Sequence, residues 1–278
     1  MKYCKNCLDP NTRPRTSFNK EGVCFACETF DKDKIEYSYN NRLRIFNEII
    51  KIHKSKDNYF DCILGVSGGK DSTRQAIWLR DKFNLNPLLV CCSYPPEQVT
   101  DEGAQNLSNL IDHGFNVIIS APAPGFWKKS LKKSFYKGNY LIGPEIALYS
   151  SVPQIAIKYG IKLIFWGENP ALVWNDKKTN LKFGYDGNAL RNSNTLNNCD
   201  ISWLKNIDDQ KSHLIPYKYP SRQEFKKHNL QIIYLSWFWK NWTFINNAKY
   251  SCLNGLELKR ANFSKTGDLF GITAIDDT

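Results

Sequence analysis

An α/β fold with parallel strands, preceded by a small metal-binding module, is what this sequence predicts, and three observations carry the prediction. Two Cys-x-x-Cys pairs stand within the first 27 residues. A short apolar run, Tyr59–Val66, passes through a glycine turn into a segment with helical apolar spacing. Beyond it strand-like and helix-like segments alternate, the pattern of a parallel sheet with ligands at the carboxyl ends of its strands. The chain has 278 residues, 42% hydrophobic and 23% charged, which excludes a disordered chain and supplies a sizeable core.

The N-terminal module comes first. Cys4-Lys5-Asn6-Cys7 and Cys24-Phe25-Ala26-Cys27 fit the two-knuckle zinc pattern, so Cys4, Cys7, Cys24 and Cys27 are the candidate Zn²⁺ ligands. Four thiolates close a tetrahedral shell with no open position, which makes such a site structural. Pro10, Pro14, Asn19 and Gly22 read as turns and leave room only for short strands. The other cysteines are read as small core residues: Cys62, Cys91 and Cys92 in or closing apolar runs, Cys199 and Cys252 alone. Leu43, Phe46 and Ile50 then mark a linking helix. The resulting boundaries are a ribbon over 1–34, a linker helix over 35–56, an α/β domain over 57–215 and a C-terminal helical region over 216–278.

Tyr59–Val66 is the kind of run that forms a buried parallel strand, and Ala76, Leu79 and Phe83 mark the helix after it. Strand, glycine turn and helix aim backbone N–H groups and a helix N-terminus at a phosphate. Ser67, Gly68, Gly69, Lys70, Asp71 and Ser72 form the turn: glycines for close approach, hydroxyls from the serines, a point charge from Lys70. Leu64 and Asp71 stand where a Walker A loop needs Gly and Ser or Thr, so this is not a Walker loop. Pro87–Cys92 is a second strand, Ala104, Leu107 and Ile111 a helix, Phe115–Ser120 a third strand. A helical stretch kinked near Pro153 follows, then a fourth strand at Lys162–Trp166. Gly167, Glu168 and Asn169 follow that strand end, read either as a site or as a helix cap before Pro170.

Ser-Gly-Gly-Lys-Asp-Ser resembles the PP-loop of the ATP pyrophosphatases, which implies a doubly wound α/β sheet of the adenine nucleotide alpha hydrolase type with ATP at the loop. The resemblance places Cys92, at the end of the second strand, beside the adenine. The run from Tyr3 to Pro14, the knuckle ending in Ala26-Cys27, Gly65–Ser72 and Trp166-Gly167-Glu168-Asn169-Pro170 together are similar to the N-acetyl sugar amidotransferases over most of the chain. That family makes acetamidino sugars for bacterial surface polysaccharides and flagellin glycans. It implies adenylation of the acetamido oxygen, Mg²⁺ bridging the phosphates and held by Asp71, catalytic roles for Lys70 and Asp71, and ammonia from a glutaminase partner. Family members usually extend beyond Thr278, so a shortened C-terminal region is expected.

Net charge is +11, from 38 Lys and Arg against 27 Asp and Glu, so an anionic partner is expected. A tRNA-modifying PP-loop enzyme is the second reading, carried by Lys128, Lys129, Lys132, Lys133 and Lys137 at helical spacing. No RNA-binding domain is recognisable, and tRNA ranks below a sugar. A zinc-ribbon binding module with a vestigial nucleotide site is the third. No apolar run approaches the roughly 18 residues of a membrane span, and the N-terminus lacks a secretory apolar stretch, so a cytoplasmic protein without a membrane partner is expected. Tyr234–Trp242 reads as core or as a stacking surface, Pro216–Pro220 as a rigid connection, and Asn188–Asn198 as a flexible loop over the sugar.

Overall fold

The computed structural model describes residues 1–12, 15–54, 59–138, 142–173, 175–176, 184–207, 210–260 and 272–273. Pro14 and the terminal Ala274–Thr278 lie outside the described residues. The chain runs α1 (Phe25–Glu36), α2 (Tyr39–His53), β1 (Cys62–Val66), α3 (Lys70–Phe83), β2 (Pro87–Cys92), α4 (Asp101–Asp112), β3 (Asn116–Ser120), α5 (Pro124–Tyr136) and α6 (Ile142–Tyr159). It continues through β4 (Leu163–Trp166), α7 (Pro170–Val173), α8 (Arg222–Lys227), β5 (Gln231–Tyr234) and α9 (Phe244–Cys252).

Five strands form one parallel sheet in the order β3-β2-β1-β4-β5. The order reverses between β1 and β4, so the fold is a doubly wound α/β sheet and its switch point lies where those two strands end. Apolar runs form β1, β2 and β4 because both faces are covered there, while the edge strand β3 leaves Ile119 exposed. Cys62, Leu64, Leu89, Cys91, Leu163 and Phe165 pack on one side with Phe46 of α2, Leu79 of α3 and Leu110 of α4. Ile63, Leu88, Val90 and Ile164 pack on the other with Phe126 of α5 and Ile146 and Ala156 of α6.

Several expectations are corrected here. The linker is two helices, α1 starting at the second cysteine knuckle and α2 capped by Ser38, whose Oγ accepts from Asn41 N at 3.3 Å. The segment beyond Pro216 is not a separate helical region: it supplies β5, which pairs with β4 from Leu163↔Gln231 to Trp166↔Tyr234. The helical stretch expected around Pro153 is present as α6, which carries that proline inside it. Asn188–Asn198 is a packed loop, since Ala189, Leu190, Arg191, Ser193 and Leu196 are buried and both leucines join the second core. Trp237, Phe238 and Trp239 are buried in the first core, so the middle of that aromatic segment packs the interior, in line with the core reading. Among the described residues no helix is long and apolar enough to cross a membrane.

Candidate functional site

The four cysteines of the ribbon converge, each sulfur within 4.8 Å of every other. Antiparallel bridges Tyr3↔Pro10 and Phe18↔Cys24 close each knuckle on itself, and Lys5 N donates to Gly22 O at 3.1 Å to join the two. Backbone N–H groups of Asn6 and Cys24 donate to Cys4 Sγ at 3.4 and 3.2 Å, and Cys27 N donates to Cys24 Sγ at 3.4 Å. At Cys4 burial opposes ionisation, but its backbone hydrogen bonds outweigh it and lower the thiol to about 6. A tetrahedral ion with bonds of about 2.3 Å sets ligand sulfurs about 3.8 Å apart, and Cys7 Sγ lies 3.7 Å from Cys24 Sγ. The donor set fits one thiophilic ion.

The ribbon is tied to the sheet domain beside the switch point. Arg15 Nη1 reaches Asp176 Oδ2 at 3.3 Å and donates to Asn192 O at 2.5 Å, and Ala26 N donates to Asn175 Oδ1 at 3.2 Å. Asn175 and Asp176 are buried and follow α7 closely, so the module rests on the segment leading out of the site.

Between β1 and α3 the glycine turn takes its expected form. Gly68 has φ +82°, and a Cβ there would meet Leu107 N of α4 at 3.1 Å, so the turn needs glycine both for conformation and for close approach. Ser67 Oγ accepts from Gly69 N at 3.2 Å, and Ser72 Oγ donates to Gly69 O at 3.1 Å, which ties the turn to the first helical turn. Gly69 caps α3 without a side-chain hydrogen bond, leaving a helix N-terminus with no capping side chain at its first amides.

A cavity of about 380 Å³ opens at the switch point, above the ends of β1 and β4. Ser67, Asp71 and Ser72 line it from the turn, Cys92 from the end of β2, and Gly167 and Glu168 from the end of β4. Gly68 and Gly69 form the turn behind that lining. Lys70 is not in the wall: it is buried, its Nζ 2.9 Å from Asp71 Oδ2 and 4.6 Å from the Phe244 ring centroid. Asn169 turns away as a cap. Its Oδ1 accepts from Ala171 N at 2.9 Å and its Nδ2 donates to Gly184 O at 2.7 Å, as the capping alternative requires. Burial pushes the Cys92 thiol up to about 12, so it faces the cavity as a neutral, weakly polar group.

Sequence reasoning missed Gln75, Tyr149, Ser151, Val152 and Tyr234 in this wall. Gln75 lies one helical turn after Asp71, a signal that was present; Tyr234 was hidden because β5 itself was unread. Gln75 Oε1, Trp166 Nε1 and Tyr234 Oη are buried without a hydrogen-bond partner among the described residues. Burial together with Glu145 and Glu168 raises the Tyr149 hydroxyl well above its ordinary range, so it is a standing proton donor. The site thus joins an uncapped helix N-terminus and two hydroxyls on one wall to apolar surface and polar groups on the others, suited to a nucleotide or other phosphorylated ligand.

No protein-family model matches the chain. It is 30% identical over 112 residues to an uncharacterized protein of Methanocaldococcus jannaschii, a match that covers 40% of this chain and 39% of that one. The chain therefore spans about two fifths of that relative's length. A similar solved structure is a U34-tRNA thiolase of Methanococcus maripaludis with its 4Fe–4S cluster, at 15% identity and a TM-score of 0.29, covering 62% of this chain and 55% of that chain.

Proposed function

We propose that the chain is a PP-loop enzyme that cleaves ATP to AMP and pyrophosphate and uses the adenylate to convert an N-acetyl group of a sugar into an acetamidino group. The observation that carries the reading is the coincidence of the Ser67–Ser72 turn, the open start of α3 and the Gly167-Glu168 strand end around one switch-point cavity. An amide carbonyl is a poor electrophile and its oxygen a poor leaving group, and transfer of that oxygen to phosphorus addresses both. The acceptor oxygen forms a bond to the α-phosphorus as the bond to pyrophosphate breaks. Ammonia then bonds to the imidoyl carbon, the bond to the AMP oxygen breaks, and nitrogen gives up a proton.

The chain's own residues supply the surroundings. Backbone amides at the start of α3, with Ser67 and Ser72, would hold the pyrophosphate, and Asp71 would hold Mg²⁺, which neutralises phosphate charge when bound. Cys92 and Val90 give an apolar bed for the adenine on the β2 side. Lys70 stands behind the loop in an ion pair with Asp71, so its positive potential is partly offset by that carboxylate. Trp166, Tyr149 and Val152 exclude water from the adenylate. The ribbon holds one Zn²⁺ as a structural ion. A glutaminase subunit supplies the ammonia.

A second reading, a tRNA-modifying enzyme, keeps one specific observation: Lys128, Lys129, Lys132 and Lys137 of the α5 region are exposed beside the exposed rings of Phe135 and Tyr136, a charged and aromatic face of the sort that tracks phosphates and bases. One assay separates the two. Purified protein is incubated with Mg-ATP and ammonium and either N-acetylated nucleotide and nonulosonic sugars or bulk tRNA, and acceptor-dependent AMP is measured. Sugar-dependent AMP with oxygen replaced by NH in the product mass is the expected result. AMP with tRNA alone would overturn it.

A further inference from the structure

The segment 244–257 binds across the two helices that back the phosphate turn, and one of its buried side chains reaches the turn's carboxylate. Asn247 of α9 is 1% exposed. Its Nδ2 donates to Asp71 Oδ1, while its Oδ1 accepts from Arg74 Nη1 at 2.5 Å. Arg74 is itself fixed: its guanidinium lies 4.7 Å from the Trp239 ring centroid and 5.6 Å from that of Tyr250, and its Nη1 also donates to Asn241 O at 3.2 Å. Ser251 Oγ donates to Lys70 O at 2.6 Å. Farther along, Asn106 of α4 exchanges two hydrogen bonds with the Glu257 backbone, and Asn109 Nδ2 donates to Asn254 O at 3.0 Å.

An asparagine amide has one donor side and one acceptor side. With Arg74 occupying the oxygen, the NH₂ is forced toward Asp71, so the amide orientation is determined by the guanidinium and the carboxylate by the amide. Asp71 is then held by Asn247 on Oδ1 and by Lys70 on Oδ2. A carboxylate with free rotation would have to be ordered when a cation arrives; this one is ordered in advance. Oδ2 is the oxygen whose partner is also a cation, so a divalent ion and Lys70 compete for the same atom while Asn247 keeps Oδ1.

We infer that Asn247, oriented by Arg74, is a positioning residue for the phosphate loop, fixing the Asp71 carboxylate for the divalent cation that accompanies the nucleotide. This rests on the reading of Ser67–Ser72 as a nucleotide phosphate site. It makes α9 part of that site although 176 residues separate Asn247 from Asp71.

The test is nucleotide binding, independent of turnover. The half-saturating Mg²⁺ concentration at fixed ATP, and the affinity for ATP in EDTA, are measured for the full chain, Asn247→Leu, Arg74→Gln and, as a control on the α4 side, Asn109→Ala. Loss of a partner that orients a metal ligand costs about tenfold or more in metal affinity, so Asn247→Leu and Arg74→Gln should each raise the Mg²⁺ requirement by about that factor and leave metal-free ATP affinity unchanged. Asn109→Ala should lower Tm without moving the Mg²⁺ requirement. Should Asn247→Leu fail to fold, Arg74→Gln at a half-buried position decides alone. An unchanged Mg²⁺ requirement in folded variants, or equal losses with and without Mg²⁺, overturns the inference. Absence of ATP binding by the unaltered chain overturns the nucleotide reading together with it.

Discussion

Gly65 sits in β1 at the point where the ring of Trp166, from β4, lies against the strand. A Cβ at Gly65 would stand 2.4 and 2.7 Å from two ring carbons of Trp166, about 1 Å inside the 3.4 Å at which ordinary contact begins. The indole cannot swing away as a chain end would. It packs edge-on against Tyr149 at 5.6 Å, and it forms part of the cavity wall. Overpacking of this kind costs about 1–3 kcal/mol, and two rigid ring atoms put Gly65→Ala at the upper end. Restricting the unfolded chain returns about 0.4–1 kcal/mol, so the expected net loss is about 2 kcal/mol, or about 4–8 °C in Tm for a chain of this size. Gly167→Ala is the internal comparison. There the nearest atom is also 2.4 Å away, but it is Gln75 Nε2, the end of a flexible side chain. That variant should lose less than about 1 kcal/mol. Thermal unfolding followed by circular dichroism reads both, and Trp166→Leu added to Gly65→Ala should recover part of the loss in a double-mutant cycle. Equal costs at the two glycines, or no recovery with Trp166→Leu, would refute the argument that ring rigidity decides the outcome.

Four further outcomes are expected. Elemental analysis of the purified chain should find one zinc per chain, and Cys4→Ser or prolonged chelation should release it and lower Tm, because a closed thiolate shell contributes folding free energy directly. Arg15→Ala should loosen the ribbon from the sheet domain at a cost of about 1–3 kcal/mol, since it leaves the buried Asp176 carboxylate without its guanidinium; faster proteolysis within residues 1–36 with β1 still protected would show it. Cys92, raised from its ordinary value to about 12 by burial, stays protonated in the folded chain while the unfolded chain ionises near 9; its contribution to stability is therefore present below pH 9 and lost as pH rises toward 12. Iodoacetamide labelling of Cys92 should accordingly stay slow from pH 7 to 10, over which a free thiol accelerates steeply, and rapid labelling at pH 8 would contradict it.

How far the molecule could be read from its sequence follows from the range of the forces involved. The cysteine knuckles, the strand-turn-helix at 62–83 and the strands β2, β3 and β4 are local patterns, and each stands where its residues indicate. β5 was not legible because Gln231–Tyr234 is four residues long and its apolar run continues into Leu235–Trp239, so period and length both pointed to an undivided aromatic segment. Asn188–Asn198 carries the composition of a surface loop, yet Leu190 and Leu196 face the second core, and two buried leucines outweigh eight polar neighbours in deciding where the segment lies.

The loop chemistry divides the same way. Residue types at 67–72 carry the phosphate-site reading proposed above, but the direction of each side chain is set by what the rest of the chain brings to it. Lys70 reads as a charge for the phosphates; Phe244 and Asp71 draw it behind the loop. Asn169 reads equally as ligand or cap; its Oδ1 accepts from Ala171 N as a cap does, and the carbonyl of Gly184 holds the other side of its amide. Asn247 has no local signature at all, since an asparagine in a short polar helix is ordinary until α9 is laid against α3. The features that identify this site are therefore short-range, while those that orient it, from Asn247 on Asp71 to Trp166 over Gly65, are contacts across long sequence separations that only the folded sheet creates.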